Sequence, residues 1–424
     1  MYPNPQDALP LPARPTLEQY TKLAEDLVTA CRSGAPEAIR EWAARWPEQT
    51  ARLDAFARQT LTSGDCALTG AQWVIARAHG FESWPAFAAH LDDLGRAASP
   101  VSSFEAAAEA VVAGDIATLQ QQLREQPALI RARSTRGHRA TLLHYAAANG
   151  VENYRQRTPG NAASIMQTLL AAGAEVDAEA DMYGGGCTTL GLVATSIHPE
   201  RAGVQNVLMQ ILIDHGAVID RPGSVGNNHS FVVGCLANGR GAAAEYVAAR
   251  GARLDLEGAA GLGRLDVVKS HFNPDGTLRP PATTQQMHAG FAWACEYGRR
   301  EVVEFLLDRG VPIDSAVGHH GPTGLHWAAL GGHSDLVSLL LDRHAPVDVV
   351  DAAYHGTPLE WALHGWSDPP PGASRDRYYD IVARLVRAGA VPKPHSSSDN
   401  ADTTPFAKTL RADARMLAAL RGTG

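Results

Sequence analysis

The chain has 424 residues, of which 37 are basic and 45 acidic, giving a net charge of −8. A protein that binds nucleic acid or an anionic membrane is normally rich in Lys and Arg, so we expect neither as a partner. The five cysteines form no C-x-x-C pair, and no export signal or long apolar run is visible. These features predict a reduced, cytoplasmic protein with no disulfide framework, metal or cofactor.

The first quarter of the chain has a helical pattern. Residues 1–15 are rich in proline and are expected to be a disordered lead, whereas residues 16–98 have the spacing of amphipathic helices. One helix is predicted from Leu17 to Arg32, and a later one is ended by Gly80 before Ser83 opens the next. These last two helices carry few basic residues, so a DNA-binding role is not favoured. We expect a helical module that caps the domain after it.

A ten-residue motif recurs farther along the chain. It reads Thr-Leu-Leu-His-Tyr-Ala-Ala-Ala-Asn-Gly from Thr141 to Gly150, and related copies begin at Thr323 and Thr357. In each copy a threonine can cap a helix with an apolar face, and a second helix follows. The motif resembles the ankyrin repeat, which implies stacked pairs of helices.

The spacing of the copies predicts the number of units. The second helices are expected to end at Gly173, Gly216, Gly251, Gly310, His344 and Gly389, which are 43, 35, 59, 34 and 45 residues apart. Because an ankyrin unit has about 33 residues, the gap of 59 holds two units, the hidden one from Glu257 to Ser270. We therefore predict an all-α ankyrin-repeat solenoid of about eight helix pairs over residues 104–393. Residues 394–424 are expected to form a linker and a C-terminal capping helix.

Three further stretches are similar to segments of a bacterial subfamily of ankyrin-repeat proteins. They are Asn-Gly-Val-Glu-Asn-Tyr-Arg-Gln at residues 149–156, Tyr-Gly-Gly-Gly at 183–186 and Trp-Ala-Cys-Glu-Tyr-Gly-Arg at 293–299. The resemblance implies the repeat class and no particular reaction.

The positions that the repeat leaves free are the candidates for binding. His144 and His326 stand at the motif histidine, where a local structural hydrogen bond is expected. The residues expected to face the inner groove include Tyr145, Asn149, Trp293, Tyr297, Trp327 and Trp361. Three of the eight tryptophans fall in this register, which is typical of a binding surface, although packing between helices is the alternative.

Loops and insertions border the same groove. His319, His320 and Tyr354 lie in the loops between units, where hydrogen bonding at the rim of a pocket is favoured over metal binding. Three units carry extra residues between their two helices, and these insertions are expected to lie on one edge. The predicted site is where the first insertion meets the central repeats, around Glu152, Asn153, Tyr154, Arg155, Tyr183, Glu296 and Tyr297. Cys187, beside three glycines that match no nucleotide motif, is expected to be structural.

Two functions of different class follow from these patterns. The first is a binding protein whose aromatic groove holds a partner protein or peptide. The alternative is a small-molecule enzyme or ligand-binding protein, with Glu152, Tyr154 and Glu296 as acid–base groups under the insertions. No catalytic motif is recognisable, so binding is favoured. A deep pocket that touches both Glu152 and Glu296 would favour the enzyme.

Overall fold

The computed structural model describes residues 8–12, 14–35, 37–45, 50–61, 66–227, 229–316, 321–370, 373–391 and 405–422. Within these ranges the regular elements are α-helices, short 3-10 helices and one small hairpin, which confirms the predicted all-α class. The chain divides into two compact units, unit 1 over Met1–Ala252 and unit 2 over Arg253–Gly424. Each unit is described by itself below.

Unit 1 begins with a module of helices around a core of its own. The described helices are α1 (Leu17–Arg32), α2 (Ala38–Ala43), α3 (Thr50–Thr60), α4 (Leu68–Ala78) and α5 (Trp84–Gly95). Thr16 and Gln19 form a capping box that starts α1, and the hydroxyl of Ser83 accepts the N–H of Ala86 to start α5. Phe81 and Phe87 are completely buried within this core. The two helix starts agree with the sequence-based prediction.

Two features of the module differ from expectation. Leu9, expected in a disordered lead, is buried, and its backbone N–H donates to the carbonyl of Ala78 at 2.8 Å. Cys31 and Cys66 form a disulfide, so the expectation that the cysteines are unpaired is wrong for these two. Their separation of 35 residues matches no short motif, and packing of α1 on α4 brings the two together.

The module contacts the loop that precedes the first recognisable motif. The N–H of Gly137 donates to the carbonyl of Gly80 at 3.0 Å, and Nδ1 of His90 lies 2.7 Å from the hydroxyl of Thr135. The guanidinium of Arg136 also reaches the carbonyl of His79. The module is thus fixed to the next part of unit 1 by hydrogen bonds on both sides of Arg136.

Helix pairs make up the rest of unit 1. They are α6 (Pro100–Ala113) with α7 (Ile116–Glu125), α8 (Leu142–Tyr145) with α9 (Ala162–Ala171), α10 (Thr189–Thr195) with α12 (Gln205–Asp214), and α13 (Phe231–Ala237) with α14 (Gly241–Ala248). A short helix, α11 (Ile197–Arg201), and 3-10 helices over Pro127–Arg131 and Asn153–Arg155 lie between them. Strands β1 (Glu179–Ala180) and β2 (Cys187–Thr188) pair antiparallel, with Ala180 opposite Cys187.

Unit 2 has the same organisation. Its pairs are α15 (Leu256–Gly261) with α16 (Leu265–Ser270), α17 (Thr284–Glu296) with α18 (Arg300–Asp308), α19 (Gly324–Leu330) with α20 (Ser334–Asp342), and α21 (Pro358–Ser367) with α22 (Arg375–Arg387). The C-terminal segment forms α23 (Pro405–Ala412) and α24 (Ala414–Ala419) instead of one helix, because Asp413 caps a new helix by accepting the N–H of Met416. Met416 and Ala419 are buried in the core of unit 2.

The described part of the chain therefore holds eight helix pairs, four in each unit. The hidden unit predicted from Glu257 to Ser270 is the pair α15 and α16. In the first pair, Gly114 ends α6 in a left-handed conformation with φ +74, which turns the chain directly into α7. The first helices α8, α10, α13 and α15 are short, and nearly all of their residues are buried because neighbouring helices cover them.

Candidate functional site

The two motif histidines are structural, as predicted. Nδ1 of His144 accepts the N–H of Thr141 at 3.1 Å, and Nε2 donates to the carbonyl of Ala178 at 3.0 Å. His326 makes the same pair of contacts with Thr323 and with the carbonyl of Gly356. Burial lowers the pKa of His144 to about 4, so its ring is neutral at physiological pH. Each ring ties its own helix to the next loop.

Four charged side chains meet in the interior of unit 1. This charge cluster consists of Glu105 on α6, Arg136 in the loop before α8, and Glu152 and Arg155 in the first insertion. Glu152 contacts Arg136 and lies 3.8 Å from Arg155, while Glu105 lies 2.8 Å from Arg155 and 3.3 Å from Arg136. The two positive and two negative charges therefore balance one another.

Burial makes Glu152 unsuitable for acid–base chemistry. Its side chain is 0% exposed, and Nε2 of His138 lies 3.5 Å from its Oε1. Burial alone would raise the pKa of Glu152, but the charge of Arg136, followed by His138 and Arg155, holds the pKa well below its ordinary value. A carboxylate that stays ionised as a counterion cannot donate or accept a proton near pH 7. The predicted acid–base role of Glu152 is not supported by this geometry.

The tyrosines of the predicted site pack on the same cluster. Tyr145, expected to face the groove, is completely buried, and the guanidinium of Arg155 lies 5.7 Å from the centre of its ring. Tyr154 is half-buried on another side of Arg155, at 5.6 Å, and burial raises its pKa. Asn153 between them is exposed. The expectation that Tyr145 lines a groove is therefore wrong, because its ring covers buried charges.

A pocket of about 330 Å³ opens beside this cluster in unit 1. Its walls include Thr195 at the end of α10, Asn149 in the turn after α8, Gln156 from the first insertion and His198 from the second. Tyr183, which precedes three consecutive glycines, also lines the pocket. We call this site the amide pocket, because Asn227 and Asn238 add two more carboxamides to its wall. The first two insertions thus border one cavity.

Internal hydrogen bonds hold the inner wall of the amide pocket. The hydroxyl of Tyr183 donates to Oδ1 of Asn149 at 2.8 Å. Nδ2 of Asn149 in turn donates to the hydroxyl of Thr195 at 2.9 Å and to the carbonyl of Leu192 at 3.1 Å. The hydroxyl of Ser196 donates to the carbonyl of Ala148 across the two helix pairs. The wall is therefore fixed in shape without a ligand.

The loop that carries Tyr183 has an unusual backbone. Tyr183 has φ +49 and the three glycines after it are also left-handed, a conformation that costs energy for a tyrosine. A hydrogen bond from the following inter-repeat loop holds this backbone in place, since the N–H of Asn227 donates to the carbonyl of Tyr183 at 2.8 Å. The thiol of Cys187 donates to the carbonyl of Met182, and burial raises its pKa to about 12. Cys187 is thus an uncharged, structural thiol, as expected.

Unit 2 contains the tryptophans of the predicted groove. Trp327 on α19 and Trp361 on α21 pack edge to face with ring centres 5.1 Å apart, and Tyr354 packs on Trp361 at 5.8 Å. We call these three rings the aromatic ladder. Trp361 is only 8% exposed, Trp327 is half-buried and Tyr354 is 77% exposed. The expectation of a fully exposed row is therefore wrong at Trp361, and the ladder leads from the core to the surface.

The remaining candidates lie on α17 or next to it. Nε1 of Trp293 donates to Oε2 of Glu257 at 3.2 Å, which fixes the ring against α15. Glu296, one turn later and half-buried, has its pKa raised to about 8 by burial, and Tyr297 follows it at the end of the helix. Glu296 and Glu152 belong to different units, and neither lines the amide pocket. His319 and His320 lie outside the described residues.

Sequence reasoning missed several of the residues that matter in unit 1. Glu105 and Arg136 in the charge cluster, and His198 and Arg240 in the amide pocket, were not singled out. A signal existed for Glu105, since it lies among apolar positions of α6 that face the core. For the other residues no local pattern exists, because loops of different repeats bring them together.

Two classes of site find no support in the described ranges. No described helix is long and apolar enough to cross a membrane. Among the described residues, no group of three or more His, Cys, Asp or Glu side chains is arranged to hold a metal ion.

A protein-family model matches part of unit 2. The family model "Ankyrin repeats (3 copies)" matches residues 291–396. Among solved structures, the chain is similar to the ankyrin repeat domain of human ASB11, with 19% identity over 68% of this chain and 99% of that chain, at a TM-score of 0.33. No curated protein matches the sequence, and none of these findings bears on the bacterial subfamily. The chain is an all-α protein that contains ankyrin repeats, with the family model matching residues 291–396.

Proposed function

We propose that unit 2 binds a partner protein or peptide through the aromatic ladder, with Tyr354 as the residue that the partner covers. Ankyrin repeats generally serve protein–protein interaction, and stacked repeats present extended surfaces for that purpose. The observation that carries the proposal is the large exposed fraction of Tyr354, 77%, in a loop whose backbone is held rigidly.

The carboxylate of Asp351 holds that loop. Its Oδ1 accepts the N–H groups of Ala353 and Tyr354, at 3.0 and 2.7 Å, and its Oδ2 accepts the N–H of Gly356 and Nε1 of Trp361, both at 3.0 Å. Asp351 is buried, and despite that burial the hydrogen bonds to the loop keep its pKa low. A permanently charged acceptor thus fixes Tyr354 relative to Trp361.

An aromatic ring held in this way is suited to binding. Burying a preorganised ring on association costs little conformational entropy, which is why tyrosine and tryptophan dominate binding hot spots. Val350, in the same loop, is also exposed and adds apolar surface to that loop. A partner that covers both residues gains apolar burial without reordering the loop.

Acidic groups on α15 and α17 indicate what else the partner carries. Glu257, held by Trp293, and the half-buried Glu296 both have raised pKa values because of burial. A Lys or Arg of the partner placed there would restore the charged form of either carboxylate and pack on the indole face. We therefore expect a partner segment with apolar and basic residues.

The alternative function, a small-molecule enzyme, has weaker support. Its predicted acid–base groups were Glu152, Tyr154 and Glu296. Glu152 is a buried counterion, and Tyr154 packs on the same cluster. Glu296, with a pKa raised to about 8 by burial, belongs to unit 2 and does not line the amide pocket of unit 1.

Photo-crosslinking tests the binding proposal. A photoreactive phenylalanine derivative is placed at position 354 in the full chain, and in a matched variant at Val391, which is 63% exposed in the same unit. After irradiation in cells, adducts are identified by mass spectrometry. We expect one discrete protein adduct from position 354 that is absent from position 391 and is competed by excess unmodified protein.

Two results would contradict the proposal. One is the same set of adducts from both positions, which would indicate nonspecific exposure. The other is an adduct at position 354 whose yield is unchanged when Trp327 is replaced by Leu, since the ladder would then not contribute to the surface.

A further inference from the structure

The amide pocket of unit 1 has features of a ligand site, and the proposed binding surface of unit 2 gives it no role. It has a volume of about 330 Å³, at the lower end of the range for small-molecule sites. Its wall is rigid because Asn149, Tyr183 and Thr195 are joined by hydrogen bonds. Preorganised walls lower the entropic cost of binding.

Several polar groups of this wall have spare hydrogen-bonding capacity. Gln156 uses its Nε2 to donate to the carbonyl of Val151 at 2.7 Å, and Asn238 uses its Nδ2 to donate to the carbonyl of Gly234 at 2.8 Å. Among the described residues, no donor reaches the carboxamide oxygen of either side chain. Asn227 makes no side-chain hydrogen bond in the same set. The pocket thus offers two acceptors and one complete amide to a ligand.

The Arg240 side chain that lines the pocket is paired. Arg240 forms an ion pair with Glu200, and its Nε donates to the carbonyl of Asn238 at 2.8 Å. Burial, followed by the charge of Arg201, lowers the pKa of His198, so that its ring is neutral at pH 7. Arg240 is thus already neutralised and unavailable to an anion, and among the described residues that line the pocket there is no carboxylate to hold a metal ion. The site therefore suits an uncharged ligand.

Apolar surface lies beside these polar groups. Ile197 and Val225 line the pocket together with the ring of Tyr183. A ligand that matches must have polar edges that both donate and accept hydrogen bonds, together with an apolar face that packs on an aromatic ring. Sugars have this combination, because hydroxyl groups ring their edges while C–H groups form their faces.

We propose that the amide pocket binds a neutral sugar of monosaccharide or disaccharide size, held by the carboxamides of Gln156, Asn227 and Asn238 against the ring of Tyr183. The unusual backbone of the Tyr183 loop, with φ +49 at the tyrosine itself, agrees with this role, since strain of this kind concentrates at ligand sites. The sugar would be bound between the two insertions and released unchanged.

Saturation-transfer NMR on the full chain tests this proposal with a defined panel of probes. The panel consists of glucose, galactose, N-acetylglucosamine and maltose, with adenosine and uridine as uncharged ligands of a different class. Any sugar that responds is then titrated by calorimetry. We expect at least one sugar to bind and neither nucleoside to compete with it.

Two variants and a control locate the binding. Asn238→Ala removes one acceptor, and Asn227→Gly removes an exposed amide at a position whose φ of +53 glycine adopts easily. Each variant should lower affinity at least about fivefold, because a ligand hydroxyl loses its partner. Gln120→Ala, an exposed amide on α7 outside the pocket, should leave affinity unchanged.

Three outcomes would overturn the proposal. The first is the absence of saturation transfer from every sugar in the panel. The second is binding that Asn227→Gly and Asn238→Ala leave as strong as Gln120→Ala does, which would place the sugar elsewhere. The third is tighter binding of a nucleoside, which would assign the pocket to a flat heterocycle.

Discussion

The carboxylate of Glu152 is in contact with the guanidinium of Arg136 in the interior of unit 1, where both side chains are at most 2% exposed. One residue lies in an insertion within a repeat, and the other in the loop that touches the N-terminal module. Their contact therefore links two segments that approach each other only in the folded chain.

Replacing Glu152 with Gln should destabilise unit 1. The variant leaves Arg136 and Arg155 buried with one carboxylate fewer, and breaking a buried ion pair on one side costs about 3–5 kcal/mol. We expect the thermal unfolding transition of unit 1 to shift clearly downward, measured by circular dichroism. Glu109→Gln is the control, since Glu109 contacts Arg155 with a side chain that is 61% exposed. Equal transitions for the two variants would mean that the cluster does not stabilise the fold.

Trp361→Ala and Tyr354→Ala should separate stability from binding. Truncating a buried tryptophan costs about 3–5 kcal/mol, whereas an exposed tyrosine contributes below about 1 kcal/mol to the fold. Trp361→Ala should therefore destabilise unit 2 in chemical denaturation, while Tyr354→Ala should leave the midpoint nearly unchanged and abolish the crosslinked partner. A large loss of stability in Tyr354→Ala would show that its ring is part of the core.

Unit 1 should lose stability in mild acid. Burial lowers the pKa of His79, His90 and His144 from 6.5 to about 4 each. Between pH 6.5 and 4 these histidines are protonated in the unfolded chain but remain neutral in the folded chain. The stability that is present above pH 6.5 is therefore lost as the pH falls through this window. We expect the free energy of unfolding to fall by at least about 2 kcal/mol between pH 7 and 5. His90→Asn should flatten that dependence, and an identical slope in this variant would argue against the assignment.

Glu296 should give the opposite dependence in unit 2. Its pKa is raised from 4.5 to about 8, so the folded chain retains a proton that the unfolded chain releases. The contribution is fully present below pH 4.5 and is lost as the pH rises through 8. Glu296→Gln removes this loss and should be more stable than the native protein at pH 9 by roughly 1–3 kcal/mol, with little difference at pH 4. Urea denaturation at the two pH values measures it, and a variant less stable than the native protein at pH 9 would contradict the raised pKa.

The disulfide predicts a simple thiol count. Protein purified without reductant and denatured should show three reactive thiols, those of Cys187, Cys235 and Cys295, and five after reduction. Replacing both Cys31 and Cys66 by Ala should lower the stability of the N-terminal module by about 2–4 kcal/mol, because the bond closes a long loop in the unfolded chain. Five thiols before reduction would show that the pair is reduced in the purified protein.

Local patterns were enough to predict the repeat architecture. The spacing of the second-helix ends located the helix pairs, including the hidden pair α15 and α16, because each unit is a local structure of about 33 residues. The capping roles of Ser83, His144 and His326 were predictable for the same reason, since a cap bonds to residues close in sequence or at one repeat distance.

Burial and pairing could not be obtained in this way. Tyr145 and Trp361 occupy groove positions of the repeat, yet both are buried. Arg155 of the charge cluster lies against Tyr145, whereas Trp327 and Tyr354 pack on Trp361. Cys31 and Cys66 are paired only because α1 packs on α4. The sequence by itself thus determined the class and the helix pairs, both of which follow from periodic, local interactions. Only the tertiary structure decided which charged groups are buried, which aromatic rings reach the surface and which carboxamides line a pocket. All three depend on contacts between segments that are distant in the sequence.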